Sequence, residues 1–220
     1  YHKETSWGID ALIVNATSGL GGLTLYAGDK AYPLQNADTK GAVRFEKGIL
    51  CSGPVRAAVQ LVITDFYPEN PDASALVLCL IYGDHQESEI RVKLSGGPEG
   101  ALLAPGLCRL PVEEVCVAKD KGYYGIWGRQ NVEIGTIGLG VLIPPDQCPD
   151  AVDADGDHRL PCPLVDGALR YFIIGEWARG RGAKETPALA QWQQRLETLA
   201  AQVHRQAPVA LGTAEALKQP

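Results

Sequence analysis

The 220-residue sequence has no methionine. Translation therefore did not start at Tyr1, and an upstream segment is expected, either a signal peptide or a preceding part of the domain. No apolar run approaches the ~20 residues a helix needs to cross a bilayer, so no membrane span is expected. The formal net charge is −6, and Lys and Arg are scattered rather than gathered into a stripe. Nucleic acid is accordingly not an expected partner. No two of the six cysteines form a CxxC pair and the four histidines are dispersed, which argues against a zinc site. GxSxG, P-loop, dinucleotide-fingerprint and HExxH patterns are all missing, and the glycines at 19–22 precede a strand rather than a helix. Hydride transfer and nucleotide hydrolysis are disfavoured on that ground. Helical periodicity is also lacking until the last 35 or so residues.

What the sequence does have is 45% apolar and 21% charged residues, a globular balance. Its apolar runs are short and punctuated by Gly, Pro, Asn and Asp, the pattern of β-strands. Candidate strands are 9–14, 23–26, 42–45, 55–66, 75–82, 87–94, 114–118, 137–143 and 169–177. The expected fold is mostly β, an antiparallel β-sandwich with one C-terminal α-helix. Residues 1–207 should form a single domain and 208–220 a flexible tail. The helix is placed at 186–206: Thr186 suits the N-cap and Pro187 the first turn, while Leu189, Trp192, Leu196, Leu199 and Val203 make one apolar stripe.

The even cysteine count and two close pairs, Cys108 with Cys116 and Cys148 with Cys162, suggest disulfides, with Cys51 and Cys79 left as the third pair. Cys148–Cys162 is the foremost candidate, and it points to a periplasmic or secreted location. The loop between them carries Asp150, Asp153, Asp155 and Asp157. Clustered oxygen ligands suit calcium, so Asp153, Asp155 and Asp157 are candidate metal ligands, although the spacing is not that of an EF-hand. The competing reading is a set of solvated turn residues.

Several motifs occur in order along the chain: Tyr1-His-Lys-Glu-Thr-Ser-Trp7-Gly-Ile-Asp10, the glycine-rich Ser18-Gly-Leu-Gly-Gly22, Gly53-Pro-Val-Arg56, Tyr124-Gly125, Ile137-Gly-Leu-Gly140, and the run from Tyr171 to Trp177. Together they resemble an uncharacterised bacterial family with a galactose-mutarotase-like supersandwich fold, over roughly residues 1–205 and matching its C-terminal half. Two departures stand out. Ile13 occupies the place where the family often carries a basic residue, and the stretch that precedes the His motif in the family is missing. The resemblance implies a supersandwich completed by another chain or by an N-terminal piece. It also implies a place beside enzymes that break down pectin-like, uronate-bearing polysaccharides.

In mutarotase-like folds a His and a carboxylate commonly act on a sugar laid across a sheet. The candidates here are His2, Asp10 and Glu176, with His2 as the proton carrier. Arg56, at a strand entrance, could grip a uronate carboxylate through two parallel hydrogen bonds. Trp7 and Trp127 are candidate sugar platforms, although large aromatics more often belong to the core. The implied activity is that of a lyase, hydrolase or epimerase on acidic oligosaccharides, with no cofactor required. The alternative is a noncatalytic structural or self-assembling protein, because an incomplete sandwich leaves strand edges that invite a partner chain.

Overall fold

A computed structural model describes residues 3–6, 8–35, 43–180 and 188–205. The chain is mostly β, with two antiparallel sheets and one helix near the C-terminus. In chain order the strands are β1 (Leu20–Ala27), β2 (Lys30–Pro33), β3 (Arg44–Ser52), β4 (Arg56–Thr64), β5 (Ser74–Tyr82), β6 (Ser88–Ser95), β7 (Leu102–Cys108), β8 (Val112–Ala118), β9 (Tyr123–Asn131), β10 (Gly135–Leu142), β11 (Val152–Ala154), β12 (Asp157–Arg159), β13 (Cys162–Pro163) and β14 (Ala168–Trp177); the helix is α1 (Leu189–Val203). The smaller sheet runs β11-β12-β7-β1-β2, with β13 also on β7. The larger runs β3-β4-β5-β6-β14-β10-β9-β8.

Alternation along the strands sorts the larger sheet into two faces. Val77, Ile90, Val92, Leu139, Val141, Leu169 and Tyr171 point toward the smaller sheet and join Leu25, Leu103 and Leu107 in the main core. The opposite, outer face has a second, smaller core under α1: Tyr123, Trp127, Leu142, Phe172 and Ile174 meet Trp192, Leu196 and Leu199. The helix lies here because the sheet beneath it is paved with glycine. Gly125 and Gly140 are direct cross-strand partners, and Gly138 faces Trp127. A Cβ on Gly140 would come within 2.6 Å of Leu196, and one on Gly138 within 2.8 Å of Trp192. Only bare backbone lets a helix settle this close. Arg195 of α1 then pairs with Glu176 of β14 at 2.9 Å, and Lys121 with Glu197 at 2.9 Å.

The helix begins at Leu189, where the Gln191 side chain accepts a hydrogen bond from the Ala188 backbone N–H. The expected cap Thr186 and Pro187 lie outside the described residues. Residues 9–14 form no strand, although Ile9, Leu12 and Ile13 still pack on the main core. Conversely, β7 and β9 are strands that punctuation concealed. In β7, Pro105 lies opposite Leu23 next to a register shift in β1, an irregularity at which a residue without an N–H is tolerated. In β9, Gly125 interrupts the apolar pattern because α1 rather than solvent covers it.

All six cysteines are free, which corrects the expected disulfides. Cys51 is on β3 and Cys79 on β5, with β4 between them. Strands two apart are separated by ~10 Å, beyond the ~7 Å reach of a disulfide. Cys108 belongs to the core between the sheets and Cys116 to the core under α1, on opposite faces of the larger sheet. Cys148 and Cys162 both adjoin the main core. The Cys162 thiol donates to the Leu160 carbonyl at 3.1 Å instead of joining Cys148.

Candidate functional site

A groove of about 1480 Å³ runs over the outer face of the larger sheet, between α1 and the turn that joins β5 to β6. The turn contributes His85 and Glu87, β14 contributes Glu176, and the helix contributes Arg195 and Gln191. The turn's shape is set locally: Asp84 has φ 61°, and the His85 N–H closes on the Tyr82 carbonyl at 3.2 Å. This brings His85 Nδ1 to 2.5 Å from Glu87 Oε1. The Glu87 side chain is 9% exposed and the His85 side chain 54%. A carboxylate on one imidazole nitrogen fixes the ring's orientation and leaves the other nitrogen for exchange with a ligand, which is how a proton carrier is positioned.

Beyond the groove the same sheet face continues across β14, β6, β5 and β4; it carries Glu89, Arg91 and Lys93 on β6, Arg170 on β14 and Arg56 at the end of β4, while β5 contributes Leu76, Leu78 and Leu80. Glu89 on β6 is buried, with a side chain 3% exposed. Its Oε1 accepts from Arg91 Nε at 2.7 Å and from Arg170 Nε at 2.6 Å, and its Oε2 accepts from Tyr82 at 3.1 Å. Burial pushes the Glu89 carboxyl up, but the two guanidiniums prevail and hold it below the usual carboxylate range. Arg56 on β4 is the cross-strand partner of Tyr82. Its guanidinium is held above its ordinary value by hydrogen bonding to Cys51 and to Tyr82.

The structure treats the sequence-derived candidates unequally. Glu176 lines the groove and Arg56 lies on the same sheet face. His2 and Trp7 lie outside the described residues. Asp10 is exposed on the N-terminal segment, its carboxylate near the Leu12 N–H at 3.3 Å, and it is not among the groove's lining residues. Trp127 is 6% exposed and packs against Trp192 at 6.1 Å between ring centres, so it supports the helix and offers no sugar platform.

The three loop aspartates do not converge either. Strands β11 and β12 form a tight hairpin whose two turn residues, Asp155 and Gly156, have φ of 52° and 80°, as the Asp-Gly dipeptide favours. Asp153 bonds His158 Nδ1 at 2.7 Å and Arg109 at 3.2 Å, Asp155 bonds Arg159 at 3.1 Å, and Asp157 turns inward to the Ser18 N–H and hydroxyl. Each carboxylate already has a donor of its own, and among the described residues no group of three or more His, Cys, Asp or Glu side chains could hold a metal.

Sequence reasoning missed His85, Glu87, Glu89, Arg91 and Arg170. A signal was present in Glu87-Ser-Glu-Ile-Arg-Val-Lys93, a strand with charge at every second position. Such a face is ordinary on an edge strand. It gains meaning only because β6 is internal to an eight-stranded sheet.

The protein is thus a two-sheet β-sandwich carrying a charged open groove on the outer face of its larger sheet. It belongs to the DUF4861 family, described as a domain of unknown function, which matches residues 1–209. No curated protein matches the chain. Among solved structures it is similar to the GH36 alpha-galactosidase AgaB from Geobacillus stearothermophilus, with 9% identity and a TM-score of 0.32. That overlap covers 70% of this chain and 30% of the galactosidase. A likeness this thin transfers no activity.

Proposed function

We propose that the groove binds and processes an acidic oligosaccharide, as a lyase, hydrolase or epimerase in a periplasmic or secreted setting. The observation that carries this reading is the meeting, on one sheet face, of an oriented histidine (His85 with Glu87), a second carboxylate (Glu176) and three guanidiniums (Arg56, Arg91 and Arg170). Proton transfer at a sugar carbon or at a glycosidic oxygen needs a side chain that can both give and take a proton, and His85 is the imidazole placed in the groove to do so. Glu87 orients the ring. Glu176, paired with Arg195, supplies a carboxylate from β14 in the sheet beneath the groove. The arginines favour an anionic sugar over a neutral one, because a planar guanidinium matches a carboxylate with two parallel bonds.

The test is incubation with a panel of uronate-bearing oligosaccharides, followed by mass analysis of the products. Turnover is expected on at least one acidic substrate, with His85→Ala lowering the rate roughly a hundredfold to ten-thousandfold. No binding and no turnover across the panel, or full activity in His85→Ala, refutes the reading.

One observation favours a second, noncatalytic reading. The edge strand β3 is exposed almost throughout, with Ile49 75% and Phe45 42% accessible. Such an edge invites another strand. A defined oligomer in solution with no sugar-dependent stabilisation would favour this reading.

A further inference from the structure

We propose that Arg91 and Arg170, clamped by Glu89, form an anion subsite that takes a carboxylate or sulfate ester carried by a sugar residue neighbouring the one at His85. This rests on the groove being an oligosaccharide site and adds where the charged group of the ligand binds.

Arg91 and Arg170 are direct cross-strand partners on β6 and β14. Like charges facing each other across a ladder repel, so the arrangement needs an anion. Glu89 provides one negative charge for two positive ones. Among the described residues, no other carboxylate pairs with either arginine. The constellation therefore keeps a surplus positive charge in a chain whose formal net charge is −6.

The geometry shows where that surplus is directed. Both arginines give their Nε to the same Glu89 oxygen. Among the described residues the terminal nitrogens, a pair that can grip a two-oxygen anion, have no hydrogen bond to a protein carboxylate. The two side chains are 51% and 50% exposed, above a carboxylate that is 3% exposed. Arg170 is further fixed by stacking over Phe172, its guanidinium carbon 4.8 Å from the ring centre. Ordering both side chains before binding removes an entropic cost that the ligand would otherwise meet.

The subsite is set apart from the His85 end. Arg91 is four residues along β6 from Glu87, and Arg170 four along β14 from Ile174, which lines the groove. At ~3.3 Å per residue that is about 13 Å between backbone positions. Both guanidiniums reach back to Glu89, two residues along β6 from Glu87, so their charged ends lie nearer the groove than their backbone positions, and the fitting ligand is an oligosaccharide whose anionic group sits on a residue next to the one that reacts.

Titration calorimetry on the intact protein tests this with three probes of equal length: an oligogalacturonate, its carboxyl-reduced neutral counterpart, and a sulfated neutral oligosaccharide. Arg170→Lys keeps the charge and loses the fork. It is expected to weaken the acidic probe about ten- to a hundredfold while leaving the neutral probe unchanged. The sulfated arm shows whether the site takes a sulfate ester, a carboxylate, or either. Arg91→Lys repeats the measurement should Arg170→Lys fold poorly. Equal weakening of the acidic and neutral probes, or no change in either variant, overturns the subsite. If charge discrimination is present but no product forms, the processing reading fails and the subsite stands.

Discussion

Gly138→Ala tests whether α1 is seated by backbone close approach or merely rests on the sheet. The added methyl would sit 2.8 Å from the six-membered ring of Trp192 and 2.9 Å from that of Trp127. Both rings are buried, at 1% and 6% exposure. An aromatic ring locked in a packed cluster cannot retreat by rotating one methyl, so the helix or β10 must shift. Overpacking of this kind costs about 1–3 kcal/mol, which for a chain of this length lowers the melting temperature by roughly 2–4 °C per kcal/mol. Urea denaturation followed by tryptophan fluorescence measures the loss. Gly48→Ala is the control, because a Cβ on Gly48 meets nothing within 4 Å, and it should leave stability within about 0.5 kcal/mol of the parent. Trp192→Leu should remove part of the Gly138→Ala penalty, leaving a coupling of about 1 kcal/mol in the double mutant. If Gly138→Ala is as mild as the control, or the two substitutions simply add, the helix is not seated as described. The groove it walls would then need redrawing.

Two further outcomes follow from the charged face and the thiols. Glu89 has a folded pKa below its ordinary value, so its contribution to stability is present above about pH 4.5 and is lost as the pH falls through the depressed folded value; Glu89→Gln should be less stable at pH 7 and should lose less on acidification, and pH-dependent urea midpoints that run parallel to the parent's would contradict this. Burial pushes the Cys108 and Cys116 thiols up to about 11, so at pH 7.5 iodoacetamide should label them slowly in the native protein and quickly in urea; mass mapping that finds both labelled at once in the native state would refute their placement.

The sandwich class was legible in the sequence because strand periodicity and turn chemistry are local. The continuous apolar run from Ala75 to Tyr82 specifies a central strand, and the alternation from Glu87 to Leu94 and the three- and four-residue spacing of Leu189, Trp192, Leu196 and Val203 each specify an element and the face it buries. Where a neighbour rather than solvent covers a glycine, as at Gly125 in β9, the same reasoning loses the strand. Proximity in sequence also misled: the cysteines and aspartates around 148–162 suggested a disulfide and a cation site, yet the Asp-Gly hairpin turns each carboxylate to a separate donor. The site depended on tertiary structure. Arg56, Tyr82, His85, Glu89, Arg91 and Arg170 come from four strands and a turn spread over more than a hundred residues, and only sheet order and register bring them to one face. Glu176 and Arg56 could be singled out by residue type alone. That Glu89 lies between two opposed arginines could not, because such a contact is fixed by cross-strand register, which no local pattern encodes.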